Sequence, residues 1–74
     1  MQKRSLTISG HKTSIALEPE FWTALEYIAK CKNISLMELI IQIDESRLTS
    51  NLSSGLRIFA LQYFFTLQKT LIEN

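Results

Sequence analysis

Apolar positions along the chain repeat first with a period of two and then with the period of a helix. Ser5 to Leu17 alternates and is rich in Thr, Ser and Ile, the pattern of extended chain. Its parity breaks in the middle. Leu6 and Ile8 are the apolar positions of the first half, Ile15 and Leu17 those of the second, so one continuous strand would put the two pairs on opposite faces. A bulge near Gly10-His11 resets the register, or a tight turn with Gly at its first central position does. The turn predicts a hairpin with Leu6 opposite Ile15 and Ile8 opposite Thr13, all on one face.

Helical periodicity follows. Glu18-Pro19-Glu20 opens a helix, because proline's missing N–H needs no partner in a first turn and acids suit the positive end of the dipole. That helix runs to about Lys32, with Phe21, Leu25 and Ile28 as its inner stripe and Trp22 and Ala29 alongside. Lys30 and Lys32 suit its last turn, and Asn33 can take the left-handed conformation at its exit. Ser35 is an N-cap with Glu38 three residues on, the capping-box spacing. The second helix spans Leu36 to about Arg47 and turns Leu36, Leu39, Ile40 and Ile43 inward. A short polar link, Leu48 to Asn51, leads to a third helix capped by Asn51 or Ser53 and reaching roughly Ile72. It carries two apolar faces, one with Leu52, Leu56, Phe59, Ala60, Tyr63, Phe64 and Leu67, the other with Ile58, Leu61, Phe65 and Ile72.

Composition turns that last feature into an expectation about assembly. A 74-residue chain buries only about 60% of the surface its unfolded form exposes, so its own core is marginal. With 46% hydrophobic residues, two glycines and one proline, it should be long regular elements whose core a second chain completes, a homodimer. One cysteine, Cys31, and one histidine, His11, exclude an internal disulfide and a zinc site built within one chain. No metal or cofactor is expected. A basic start without a long apolar core, and no run of about 18 uncharged apolar residues, point to a cytoplasmic protein without a membrane span.

The formal net charge of +1 hides an asymmetry. Lys3, Arg4 and Lys12 precede the first acid, Glu18, and the rest of the chain sums to −2. A basic arm on a mildly acidic body suits a polyanion, although such lysines also serve as guards on a strand edge. No Gly-rich phosphate loop, paired-carboxylate motif or Ser/His/Asp pattern is present, so the expectation is a protein that is not an enzyme.

A short strand, a proline-started helix, a tight turn and a capped helix, carried by Lys12-Thr13-Ser14-Ile15-Ala16-Leu17-Glu18-Pro19-Glu20-Phe21 and Asn33-Ile34-Ser35-Leu36, resemble the ribbon-helix-helix repressors, the class of the Arc and methionine repressors. The wider string, from Arg4 through Phe21-Trp22 to Arg57, is similar to a group of small bacterial ribbon-helix-helix proteins. The resemblance implies a mainly α fold with a short β ribbon, an intertwined homodimer with an additional long C-terminal helix. It divides the chain into a basic arm or extra short strand (1–11), a ribbon-helix-helix core (12–50) and a C-terminal helix (51–74) that packs on the core or on a partner subunit and is available for a higher oligomer. It further implies that two chains pair their strands into a ribbon entering the major groove of double-stranded DNA. Lys12, Ser14 and Ala16 would then face bases. Lys3, Arg4 and the amide end of the second helix at Ser35 and Leu36 would hold phosphates. Ile15, Leu17, Phe21, Leu25, Leu39, Ile40 and Ile43 would form the dimer core. The function implied is that of a transcriptional regulator; the alternative is a protein-interaction or oligomerisation module on the same fold, including an antitoxin. Ala16 stands where the family more often places a polar or basic residue.

Overall fold

A computed structural model describes residues 1–46 and 51–73, with side chains through residue 68. Two strands, β1 (Gln2–Ile8) and β2 (His11–Leu17), form an antiparallel hairpin, followed by α1 (Pro19–Cys31), α2 (Leu36–Ser46) and α3 (Leu52–Glu73). The link from Leu48 to Ser50 lies outside the described residues. No described helix is long and apolar enough to cross a membrane.

The hairpin closes through Ser9 and Gly10, both at positive φ (51° and 82°). Two consecutive positive φ values mark the turn whose twist matches that of the flanking strands, and glycine adopts the second of them without steric cost. The turn therefore centres one residue earlier than Gly10-His11, and the register shifts by two. Leu6 faces Thr13 and Ile8 faces His11, in place of the expected Leu6–Ile15 and Ile8–Thr13 pairs. The shift keeps every side chain on its expected face, because side-chain direction alternates with period two.

β2 takes its hydrogen-bonded neighbour from its own chain. β1 covers one edge of β2, and among the described residues no strand lies along the other, which stays open to the second-chain strand that the resemblance implied. The inner face of the hairpin, Ile8, Ile15 and Leu17, is buried against the helices, with Leu6 packed beside it.

Trp22, Leu25, Ile28 and Ala29 of α1 meet Leu39, Ile40 and Ile43 of α2 and Leu56 and Ala60 of α3 in one core. Burial of each large aliphatic side chain there contributes about 1.5–3 kcal/mol. Phe21, expected at the head of the α1 stripe, is only half-buried, and Trp22 takes the central place with 1% exposure. The indole wins because its N–H finds an acceptor: Trp22 Nε1 donates to the Gln2 carbonyl at 2.8 Å.

Local signals set the helix ends. Asn33 sits at φ 59° and Ile34 N–H donates to the Ala29 carbonyl at 3.0 Å, closing α1 through a left-handed residue. Ser35 Oγ accepts from the Glu38 N–H at 3.0 Å, and Asn51 Oδ1 accepts from the Ser54 N–H at 3.2 Å, so Asn51 rather than Ser53 caps α3. Arg57 on α3 donates to both carboxylate oxygens of Glu18, at 3.0 and 3.5 Å, pinning α3 to the start of α1. The backbone hydrogen bond to Glu18 and the Arg57 guanidinium hold this carboxyl below the usual glutamate range.

α3 spans 22 residues, roughly 33 Å, in a molecule of 43 × 23 × 23 Å, so it outruns the core. Its first turns bury Leu56 and Ala60. Further along, Tyr27 stacks on Phe64 at 5.8 Å, while Ile58 (48% exposed), Leu61 (61%) and Phe65 (71%) stand in solvent.

Candidate nucleic-acid interface

The outer face of the hairpin carries six side chains. Lys12, Ser14 and Ala16 of β2 alternate with the buried inner set, and the register sets Thr7, Ser5 and Lys3 of β1 directly opposite them. Five of the six are exposed and Ala16 is half-buried. Two lysines, three hydroxyls and one methyl, with no carboxylate, leave a face that is cationic, able to donate and accept hydrogen bonds, and free of bulky side chains. A two-stranded ribbon of this width fits the major groove of B-DNA. The residues expected to face bases thus lie together, on one exposed surface.

Ser5 and Thr7 received no role from sequence. Their signal was the hairpin: once Ile8 and Ile15 point inward, the odd positions of β1 must share the face of Lys12 and Ser14. Lys3, expected at phosphates, lies on this same face.

Arg4 lies on the other side. Its guanidinium pairs with Glu26 at 3.0 Å and sits over the Trp22 ring, 4.4 Å from the centroid. Both contacts and the Trp22–Gln2 hydrogen bond tie β1 to α1. Arg4, expected at a phosphate, is engaged within its own chain, because even-numbered residues of β1 face the helices and the acid on α1 is within reach.

At the start of α2, Ser35 is exposed and Leu36 half-buried. The Ser35 hydroxyl is engaged in capping. The adjoining surface depression is lined by Glu26 and Glu38 as well as Lys30, so the amide end of α2 faces mixed charge.

Of the expected dimer core, Ile15, Leu17, Leu25, Leu39, Ile40 and Ile43 are already buried by their own chain, and Phe21 is half-buried. The reason is local: β1 and the first turns of α3, through Ile8, Leu56 and Ala60, supply cover within one subunit.

A family model described as the ribbon-helix-helix domain matches residues 1–64. The chain belongs to the ribbon-helix-helix family. Its members are generally DNA-binding transcription regulators or antitoxins, and they act as dimers. The matched span includes β1 and most of α3, so the hairpin belongs to the family domain. No curated protein and no solved structure matches the chain.

Proposed function

We propose that this ribbon-helix-helix protein is a cytoplasmic DNA-binding transcriptional regulator, a repressor by simple occupation of its site, that lays the outer face of its hairpin in the major groove. One observation carries the reading: six outward side chains with two lysines and no carboxylate, on an antiparallel ribbon, in a family whose members are generally DNA-binding regulators or antitoxins. Lys12 donates to guanine O6 and N7, Ser14 donates or accepts, and the Ala16 methyl packs on a thymine methyl. Lys3 adds positive charge against phosphate, and the amides at Ser35 and Leu36 offer a further phosphate contact whose weight the neighbouring Glu26 and Glu38 reduce.

A surface for association in this reading lies on α3. Residues 58–68 contain no charged side chain, and on one face of α3 the exposed parts of Ile58, Leu61 and Phe65 amount to on the order of 350 Å² per copy. Two copies packed helix to helix through this face make a small interface, below the size of a standard specific one unless flanking residues extend it. The same stripe favours a second reading, an interaction or antitoxin-type module whose α3 buries against a different protein.

Gel shifts of the purified chain on mixed genomic duplexes, over a series of salt concentrations, separate the two. The regulator shifts DNA at low salt with an affinity that falls steeply as salt rises. No shift at low salt refutes it and leaves the interaction module.

A further inference from the structure

The hairpin leaves one backbone edge open on each strand. Its two-residue turn, Ser9-Gly10, makes Ile8 and His11 a hydrogen-bonded pair, and such pairs alternate along an antiparallel ladder. Thr13, Ile15 and Leu17 therefore turn their backbone groups to β1, while the N–H and C=O groups of Lys12, Ser14 and Ala16 point the other way. On β1 the same rule turns the backbone groups of Lys3, Ser5 and Thr7 outward. Among the described residues no strand lies along either edge. The two edges are not equivalent. β1 carries Arg4 on its inward side, and an inward charge opposes the addition of a further strand. β2 has no inward charge, and its Ile15 and Leu17 are 2% and 0% exposed, so a strand added beside it lies next to the core.

We propose that a second copy of the chain adds at the β2 edge, giving a four-stranded sheet in the order β1-β2-β2-β1, and that the outer strands grip the phosphate walls of the groove with Lys3, Ser5 and Thr7 while the central pair reads bases. The inference rests on the DNA-binding reading above. An antiparallel register centred on Ser14 sets Lys12 opposite Ala16 of the second copy, so the free backbone groups of β2 find partners and no two lysines oppose each other. The outward side chains then form a middle row of four serines, flanked on each side by a row of Thr7, Lys12, Ala16 and Lys3. Width assigns the roles. Strands lie about 4.8 Å apart, so the two β2 strands enter a major groove about 12 Å wide, whereas the β1 strands stand about 14 Å apart and meet its walls. There the free N–H groups of Lys3, Ser5 and Thr7 point sideways from the sheet, toward phosphate oxygens, and two hydroxyls and an ammonium add further donors. The edge that repels another strand is thus the edge that faces the DNA backbone. β1 contributes affinity and salt dependence, and sequence choice stays with β2.

Amide hydrogen exchange on the full chain tests the sheet. Slow exchange is expected at Lys12, Ser14 and Ala16 and fast exchange at Lys3, Ser5 and Thr7, the latter slowing when duplex DNA is added. A monomer in sedimentation, or exchange equally fast at both edges of a dimer, would overturn the four-stranded sheet. Selection of bound duplexes from a random pool tests the roles, with the full chain and its Lys3→Ala, Ser5→Ala, Thr7→Val and Lys12→Ala variants. All four positions are exposed, and thermal melts confirm that the variants remain folded. Lys12→Ala should relax the selected motif. The three β1 variants should keep the motif and weaken binding roughly three- to tenfold on every duplex, and Lys3→Ala should also lower the salt slope by about one unit per chain. A changed motif in a β1 variant, or wild-type affinity and slope in all three, would overturn the grip while preserving the DNA-binding reading. Absence of all duplex binding would remove that reading and the grip together, and the exchange pattern would still decide the sheet.

Discussion

Replacing Arg4 by alanine separates a cation that builds the ribbon from one that touches DNA. Three interactions disappear with it: the 3.0 Å pair with Glu26, the seat over Trp22 at 4.4 Å, and the 3.2 Å hydrogen bond to the Gln2 side chain. The ion pair joins side chains that are 34% and 52% exposed, so solvent screening limits it to about 0.5 kcal/mol. The guanidinium over the indole contributes roughly 0.5–1 kcal/mol at such a partly open site, and loss of the aliphatic stem against the ring adds a few tenths. The sum is about 1–2 kcal/mol, near 4–8 °C of melting temperature per kcal/mol in a domain of this size. Urea titration followed by circular dichroism reads this loss, and a double-mutant cycle with Glu26→Gln isolates the pair. DNA affinity against salt supplies the second axis. A phosphate-contacting cation contributes close to one unit of slope in log affinity against log salt, and Arg4 contributes none because its charge faces α1. A variant with unchanged stability and a slope lower by about one would refute the assignment of Arg4 to the hairpin–helix seam.

Gly10→Ala should destabilise the fold by about 1–2 kcal/mol through the backbone alone, since its φ is +82° and an added Cβ meets open space; a thermal melt at the wild-type midpoint would contradict the turn geometry. Leu25→Ala, at 0% exposure, should cost roughly 2–5 kcal/mol, a large share of the stability of a 74-residue domain, and Trp22 fluorescence during denaturation would show it. Glu18 has its folded-state pKa lowered, so its stabilising contribution is present above the ordinary glutamate pKa and is lost as pH falls through the lower folded value. Glu18→Gln should therefore flatten the acid limb of the stability profile, and an unchanged limb in urea midpoints across that range would count against the Glu18–Arg57 tie. Phe65→Asp should abolish assembly beyond the dimer in sedimentation while leaving the melt near wild type, because Phe65 is 71% exposed in the single chain; persistence of the larger oligomer would place its interface elsewhere.

Features set by near neighbours in sequence were legible before the structure. Asn33 at a helix exit and Ser35 as a cap depend on backbone groups within a few residues, and both are where the sequence placed them. Strand faces were legible for a related reason. The expected and observed hairpins differ by two residues, and a two-residue slip turns no side chain over. Register was not legible, because it depends on whether Ser9 or His11 joins Gly10 in the turn, a contest between local conformations that hydrophobic pattern does not weigh. The centre of α1 was missed for a long-range reason: Trp22 displaces Phe21 through a hydrogen bond to Gln2, twenty residues away. Arg4 is similar, since its partner Glu26 is 22 positions downstream and only the packed hairpin brings the two together. On α3, the division into two apolar faces followed from spacing, and Leu56 and Ala60 are buried on the first of them. Phe64 and Leu67 of that same face stay partly exposed because the helix is longer than the core it covers.

The source of the ribbon decides what assembly is for. Where each subunit contributes one strand, association and the reading face are one event, and separation of the subunits abolishes both. Here the turn at Ser9-Gly10 closes a hairpin inside one chain, and Trp22 and Arg4 clamp β1 to α1, so one edge of β2 is settled in the single subunit and the other is left to a second chain. The exposed apolar face of α3 offers a second place for chains to meet. Pairing there would join two dimers and with them two faces, each with its own copies of Lys3 and Lys12. Two linked faces raise the effective concentration of the second at its site once the first is bound, so affinity rises without any new contact to a base. Specificity would then belong to the hairpin and avidity to α3.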